Sequence, residues 1–250
     1  MTGARFLHGL HAVRAAVRYE PGAVEEAWLE SSRRDKRMQR LREELGRTEA
    51  VVHDVHRREL DRLCGGDVHQ GVVIRYRGAE PLGEDALEAV LDRLQTPPLL
   101  LILDQVQDPH NLGACLRTAD AAGVDAVVAP RDRAVGLTAT VHKVASGATG
   151  RVPFHQVTNL ARTLEALKAR GVWLVGATGG PGDPPPWELD LDGPLGLVLG
   201  AEGSGLRRLT REACDFTTGL PMAGGVESLN VSVATGVLLY EAVRQRTRRA

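Results

Sequence analysis

Apolar residues change their spacing twice along the chain, and the changes divide it into three stretches. Over residues 1–78 helical and strand-like spacings alternate. Leu7, Leu10, Val13 and Val17 recur at three- and four-residue intervals, which predicts one face of a helix; Met38, Leu41 and Leu45 predict a second, and Leu60 with Leu63 a short third. Between them residues 23–29, 50–55 and 71–76 read as strands, the last as the β-branched run GVVIRY. This stretch is expected to be a small α/β domain. Residues 79–98 are acidic, are bounded by Pro81 and by Pro97 with Pro98, and hold one amphipathic helix through Leu87, Val90, Leu91 and Leu94. They are expected to link two domains. From residue 99 the strands become continuously apolar: LLLIL at 99–103, then 125–129, 172–176 and 195–199, alternating with helical patterns at 112–122 and 160–169. Such runs predict a parallel sheet covered on both faces, in a second domain over 99–250.

The last apolar pattern follows a loop. In LPMAGGVESLNVSVATGVLLYEAVRQR, residues 220–246, Pro221, Gly224 and Gly225 predict irregular backbone, and Val231, Ala234, Val237, Leu238, Ala242 and Val243 then keep helical spacing. Ser228 and Asn230 stand at or just before the helix start, where such side chains serve as caps. Taken alone, the segment reads equally as a cap and as part of a binding site. Ligands of parallel sheets are expected at the carboxyl ends of the strands, and three loops at such ends are rich in glycine or polar groups: 104–111, 176–182 and 200–205.

Composition narrows the class more than the chemistry. The chain has 250 residues, 43% of them hydrophobic, enough for one large core or two smaller ones. No run of about 18 apolar residues predicts a membrane span, and the opening residues lack the apolar core and cleavage site of a signal peptide. Cys64, Cys115 and Cys214 form no Cys-x-x-Cys pair, so neither a zinc site nor a disulfide framework is expected, and a cytoplasmic, reduced protein is. The net charge of −1 does not advertise a nucleic-acid binder. Its distribution is uneven: residues 31–42, SSRRDKRMQRLR, carry six basic side chains against Asp35 alone. Arg33, Arg34 and Arg37 are therefore candidate RNA phosphate contacts, the alternative being a solvated helix face.

Candidate chemistry concentrates in the strand-end loops. In DQVQDPHNLGACLRTADAAG, residues 104–123, Asn111 and Arg117 could share a site only if the helix start is irregular; otherwise they are a cap and a surface arginine. His110 has no second ligand at metal spacing and reads as a turn histidine. In GLVLGAEGSGL, residues 196–206, the order G-x-x-G-x-G is not the dinucleotide fingerprint, but it allows close backbone approach to a ligand, with Glu202 as a carboxylate inside the loop. Ser228 lacks the G-x-S-x-G elbow, so acyl transfer is poorly supported.

These blocks, in this order, resemble the three motifs of the SpoU (TrmH-type) RNA 2′-O-ribose methyltransferases: DPHNLGACLRTADAAG the first, LGAEGSGL the second, and LPMAGGVESLNVSVATGVLLYEAV the third. FLHGLHAVRAAV and VHQGVV resemble the small L30e-type domain that precedes the catalytic domain in members acting on a guanosine of 23S rRNA. The resemblance implies an L30e-like α/β domain over 1–78, then a SPOUT α/β domain with a parallel sheet and a C-terminal trefoil knot. It implies S-adenosylmethionine as cofactor, 23S rRNA or a large-subunit precursor as partner, a homodimer, and no metal. The cofactor would lie against Gly200, Leu220 and Leu229, with Thr178, Gly179 and Met222 nearby. The functional polar set would fall on Asn111, Arg117, Glu202, Ser228 and Asn230. The chain departs from the family pattern at residues 224–227 and at Ser204, neither of them in that set.

Overall fold

The computed structural model describes residues 5–180, 182–201 and 203–249; Glu202 lies outside the described residues. In chain order the elements are β1 (Arg5–His8), α1 (Leu10–Tyr19), β2 (Val24–Glu30), α2 (Lys36–Leu45), β3 (Val51–Val55), α3 (Arg57–Leu63) and β4 (Val72–Tyr76), followed by α4 (Glu84–Arg93), β5 (Leu99–Asp104), α5 (Pro109–Ala121) and β6 (Ala126–Pro130). The chain continues through α6 (Ala139–Ala145), β7 (Phe154–Val157), α7 (Leu160–Ala169), β8 (Trp173–Ala177), β9 (Leu195–Gly200), α8 (Arg208–Ala213), β10 (Phe216–Thr218) and α9 (Val231–Arg249).

Two compact units result, one made of Met1–Glu80 with Leu137–Arg151, the other of Pro81–Gly136 with Val152–Ala250. The first has a four-stranded sheet in the order β1-β4-β2-β3, parallel only between β2 and β3. Leu7, Ala27, Leu29 and Ile74 from the sheet meet Val13 and Val17 of α1 and Met38, Leu41 and Leu45 of α2 in one core. The second has a six-stranded parallel sheet in the order β10-β8-β9-β5-β6-β7. All six residues of β5 are buried, as a central strand covered on both faces requires.

The expected helix through Leu7 begins later: Leu7 belongs to β1, and Gly9, at φ 89°, turns the chain before α1 starts at Leu10. The division of the chain also differs from the expected boundaries in two places. Residues 79–98 are largely built into the second unit. Leu87 of α4 packs in one core with Leu100, Ile102 and Leu164, and Leu82 exchanges backbone hydrogen bonds of 2.8 Å with Phe154 and Gln156 at the β7 edge. Residues 137–151 lie between two strands of the second sheet, yet α6 packs on α1 and β1 of the first unit. There His142 Nδ1 pairs with Thr149 Oγ1 at 3.0 Å, the Thr149 hydroxyl donates to Glu20, and the His142 ring meets Tyr76 edge-on.

Candidate active site

The carboxyl ends of β5, β8, β9 and β10 face the loop that leads into α9, and the glycines determine how closely they approach. A Cβ on Gly200 would fall 2.1 Å from the carbonyl carbon of Gly205. Only glycine lets the loop after β9 fold back on the strand, closed by a 2.9 Å bond from Gly205 N–H to the Ala201 carbonyl. The loop is fixed at its far end by Asp104, the last residue of β5. This fully buried carboxylate accepts from Arg207 Nε at 2.7 Å and from the Arg207 backbone N–H at 3.0 Å.

These loops enclose a cavity of about 610 Å³, within the roughly 300–1,000 Å³ of small-molecule sites. Gly200, Leu220, Leu229, Met222, Thr178 and Gly179, the six positions expected around a cofactor, all line it. Leu199, Val231, Ala234 and Leu238 give it an apolar wall, and Ser228 and Glu227 add polar groups. Apolar side chains beside the polar groups of Thr178, Glu227 and Ser228 suit a purine nucleoside with a polar tail, so the lining fits S-adenosylmethionine.

Asn111 and Asn230 line neither wall of this cavity themselves, but Asn230 stands between Leu229 and Val231, which do. Asn111, nearly buried on the first turn of α5, accepts from Asn230 Nδ2 at 3.0 Å. Asn230 Oδ1 accepts from the Ser232 backbone N–H at 2.9 Å and from its hydroxyl at 2.6 Å, so this residue caps α9 while it fixes Asn111. A second cavity, about 320 Å³, is lined by Gln105, Asp108, Asn111, Ala201, Ser204 and Val231, and it shares Ala201 and Val231 with the first.

Arg117 is not brought into either lining. With α5 regular from Pro109, capped by Asp108 through the His110 N–H, residues 111 and 117 point to different sides, and Arg117 stands exposed. His110 is likewise exposed, and among the described residues no group of three His, Cys, Asp or Glu side chains could hold a metal ion. In the first unit Arg33 pairs with Asp35 at 2.6 Å and donates to the Gln70 carbonyl, whereas Arg34 and Arg37 are exposed. Asp104 and Asp183 shape the site without any motif to mark them. The one available clue is an acid at the end of an apolar strand or inside a glycine loop.

A parallel α/β sheet with a cavity of small-molecule size at its strand ends defines a ligand-binding α/β protein. Residues 98–240 match the SpoU rRNA Methylase family, and residues 6–82 match the RNA 2′-O ribose methyltransferase substrate binding family. The chain belongs to the SpoU rRNA methylase family. A 23S rRNA (guanosine-2′-O-)-methyltransferase RlmB of Pseudomonas aeruginosa is 56% identical over 96% of this chain and 96% of its own. The RlmB of Bordetella pertussis is 54% identical over 98% and 99%. Among solved structures, the SpoU methyltransferase AviRb of Streptomyces viridochromogenes in complex with AdoMet has a TM-score of 0.77 and 26% identity, over 98% of this chain and 91% of that one.

Proposed function

We propose that this protein transfers the methyl group of S-adenosylmethionine to the ribose 2′-oxygen of a guanosine in 23S rRNA. The observation that carries the reading is the pair of adjoining cavities that share Ala201 and Val231, with the Asn111–Asn230 hydrogen bond at their border. Identity of 54–56% with the two RlmB enzymes, over nearly the whole of each chain, narrows the substrate to a 23S rRNA guanosine. The cofactor supplies an electrophilic methyl group on a sulfonium.

The larger cavity holds the donor against Gly200, Leu220, Met222, Leu229, Thr178 and Gly179; the smaller admits the acceptor ribose. In the transfer the 2′-oxygen would bond to the methyl carbon as the carbon–sulfur bond breaks, its electron pair staying on the sulfur of the departing thioether, and the hydroxyl proton would pass to solvent water. Much of the rate comes from holding both partners in line, because orientation removes the entropy cost of their meeting. Asn111, Ser228 and Asn230 arrange that border; Glu202, which the family resemblance adds to them, lies outside the described residues. Arg117, exposed on α5 and outside both linings, is assigned the orientation of the hydroxyl or the adjacent phosphate on the family resemblance alone; with a pKa above about 12, a guanidinium is a poor base.

The active species is a homodimer. Val233, Val237 and Tyr240 are exposed at helical spacing along α9 and continue into an apolar hollow of Trp187, Met222 and Val226, a patch suited to an isologous contact. The trefoil knot implied by the family resemblance, a cytoplasmic location and RNA contacts at Arg34 and Arg37 belong to the same reading. The absence of any helix long and apolar enough to cross a membrane among the described residues is consistent with it.

Incubation with labelled S-adenosylmethionine and unmethylated 23S rRNA tests the activity. Alkali-stable label is expected in the rRNA and not in tRNA. Arg117→Lys is expected to lose most turnover while retaining cofactor affinity; near-full turnover with normal RNA binding would exclude the role given to Arg117.

A further inference from the structure

One wall of the donor cavity is held by a side chain with no part in the chemistry above. Asp183 sits half-buried in the loop after β8 and receives three donors. The Thr178 hydroxyl and the Gly180 N–H, at 2.7 Å, reach Oδ2, and the Thr217 hydroxyl reaches Oδ1 at 2.6 Å. Thr178, Gly180 and Asp183 itself line the cavity from the loop, while Thr217 lies in β10 beside Thr218 and Gly219, which line it from the neighbouring strand. The two walls touch. A Cβ on Gly219 would lie 3.1 Å from the Gly179 Cα and 3.5 Å from the Asp183 Cβ, and the N–H groups of Thr178 and Gly179 both donate to the Thr218 carbonyl. Burial alone would raise the Asp183 pKa. The donors from Thr178, Thr217 and Gly180, together with the charge of Arg211, hold it below the usual carboxylate value instead.

We propose that Asp183 is a positioning residue for cofactor binding: its carboxylate fastens the loop carrying Thr178 and Gly179 to β10 and so fixes that wall of the cavity. This inference rests on the reading of the cavity as the S-adenosylmethionine site. Hydrogen bonds to an ionised acceptor are about twice as strong as neutral ones, so three of them on one carboxylate make a stiff junction. An asparagine keeps much of it, because its oxygen can face Thr178 and Gly180 while its NH₂ donates to the Thr217 hydroxyl, which also accepts. An alanine leaves two hydroxyls and an N–H without their acceptor.

The test is calorimetric titration of S-adenosylmethionine into the full chain, paired with thermal unfolding, RNA affinity and steady-state kinetics. Asp183→Ala is expected to raise the cofactor Kd about tenfold or more, and Asp183→Asn no more than about threefold, the difference reflecting charge-assisted bonds lost against bonds mostly kept. The KM for cofactor should follow the Kd, with kcat at saturating cofactor and RNA affinity close to the parent's. Wild-type cofactor affinity in a folded Asp183→Ala variant would overturn the proposal, as would a fall in kcat at unchanged KM. If Asp183→Ala does not fold, Thr178→Val and Thr217→Val each remove one bond and are expected to weaken binding in the same direction; unchanged Kd in both overturns it equally. Failure of the parent chain itself to bind the cofactor would instead defeat the reading of the cavity, before any variant is compared.

Discussion

Asp104 illustrates how one buried charge positions a loop more than a hundred residues away in sequence. Its carboxylate is fully enclosed, and Arg207 satisfies it through both side chain and backbone. Such pairs add little against an apolar alternative, but removing one partner is costly because the other is left charged in a dry site. Arg207→Ala is expected to destabilise the protein by about 3 kcal/mol, measured by denaturant unfolding, and to weaken cofactor binding as the loop at 200–206 loses its anchor. His155 supplies a pH dependence. It is fully buried on β7, and burial lowers its pKa, only partly opposed by the hydrogen bond to the Gly83 carbonyl. The folded state therefore holds it neutral, whereas the unfolded chain takes up a proton near the ordinary value of about 6.5. Stability should be full above that pH and fall as the pH drops toward the lower folded value. Thermal midpoints at pH 7.5 and 5.5 are expected to differ in the parent and to converge in His155→Phe; an equal difference in both would assign the effect elsewhere.

Among the elements, α9 does the most varied work. Val231, Leu238, Leu239 and Ala242 are buried, and the Thr235 hydroxyl bonds to the Val231 carbonyl and contacts the Cys115 thiol across the α5 packing. Asn230, just before its start, bonds to Asn111, while the opposite face of the helix, with Val233 and Tyr240 each 51% exposed, is the surface proposed above for a dimer contact. Val237→Glu with Tyr240→Glu is expected to convert a dimer to monomers in sedimentation and to reduce methyl transfer; a double variant that stays dimeric would move the interface elsewhere. The helix itself was legible from its spacing, as were α2, α7 and the buried strands β5 and β9. Short strands were not: FHQV and FTT, at β7 and β10, are too brief to carry a period. Leu7 kept helical spacing with Leu10 and Val13 although Gly9 separates them into strand and helix, because spacing cannot register a positive φ.

At the scale of the molecule, two cores are built from a chain that leaves the first unit, enters the second and returns at residues 137–151. Apolar spacing gave no element there, and Leu137 and Val141, both buried, would suit either core. The site was legible as three blocks through their resemblance to the family motifs, because glycines and amides at element ends serve as readily for turns and caps. Their supports, Asp104 and Asp183, were not, because their partners Arg207 and Thr217 are distant in sequence. The blocks come together only when the parallel sheet aligns the ends of β5, β8, β9 and β10. The central claim is that the paired cavities these ends form place a methyl donor against a guanosine ribose. Its most direct test is to treat unmethylated 23S rRNA with the purified full chain and S-adenosylmethionine, then map the product by mass spectrometry of nuclease fragments. A single 2′-O-methylguanosine is predicted; no methylation, a methyl group on a base, or modification of a nucleoside other than guanosine would contradict the account.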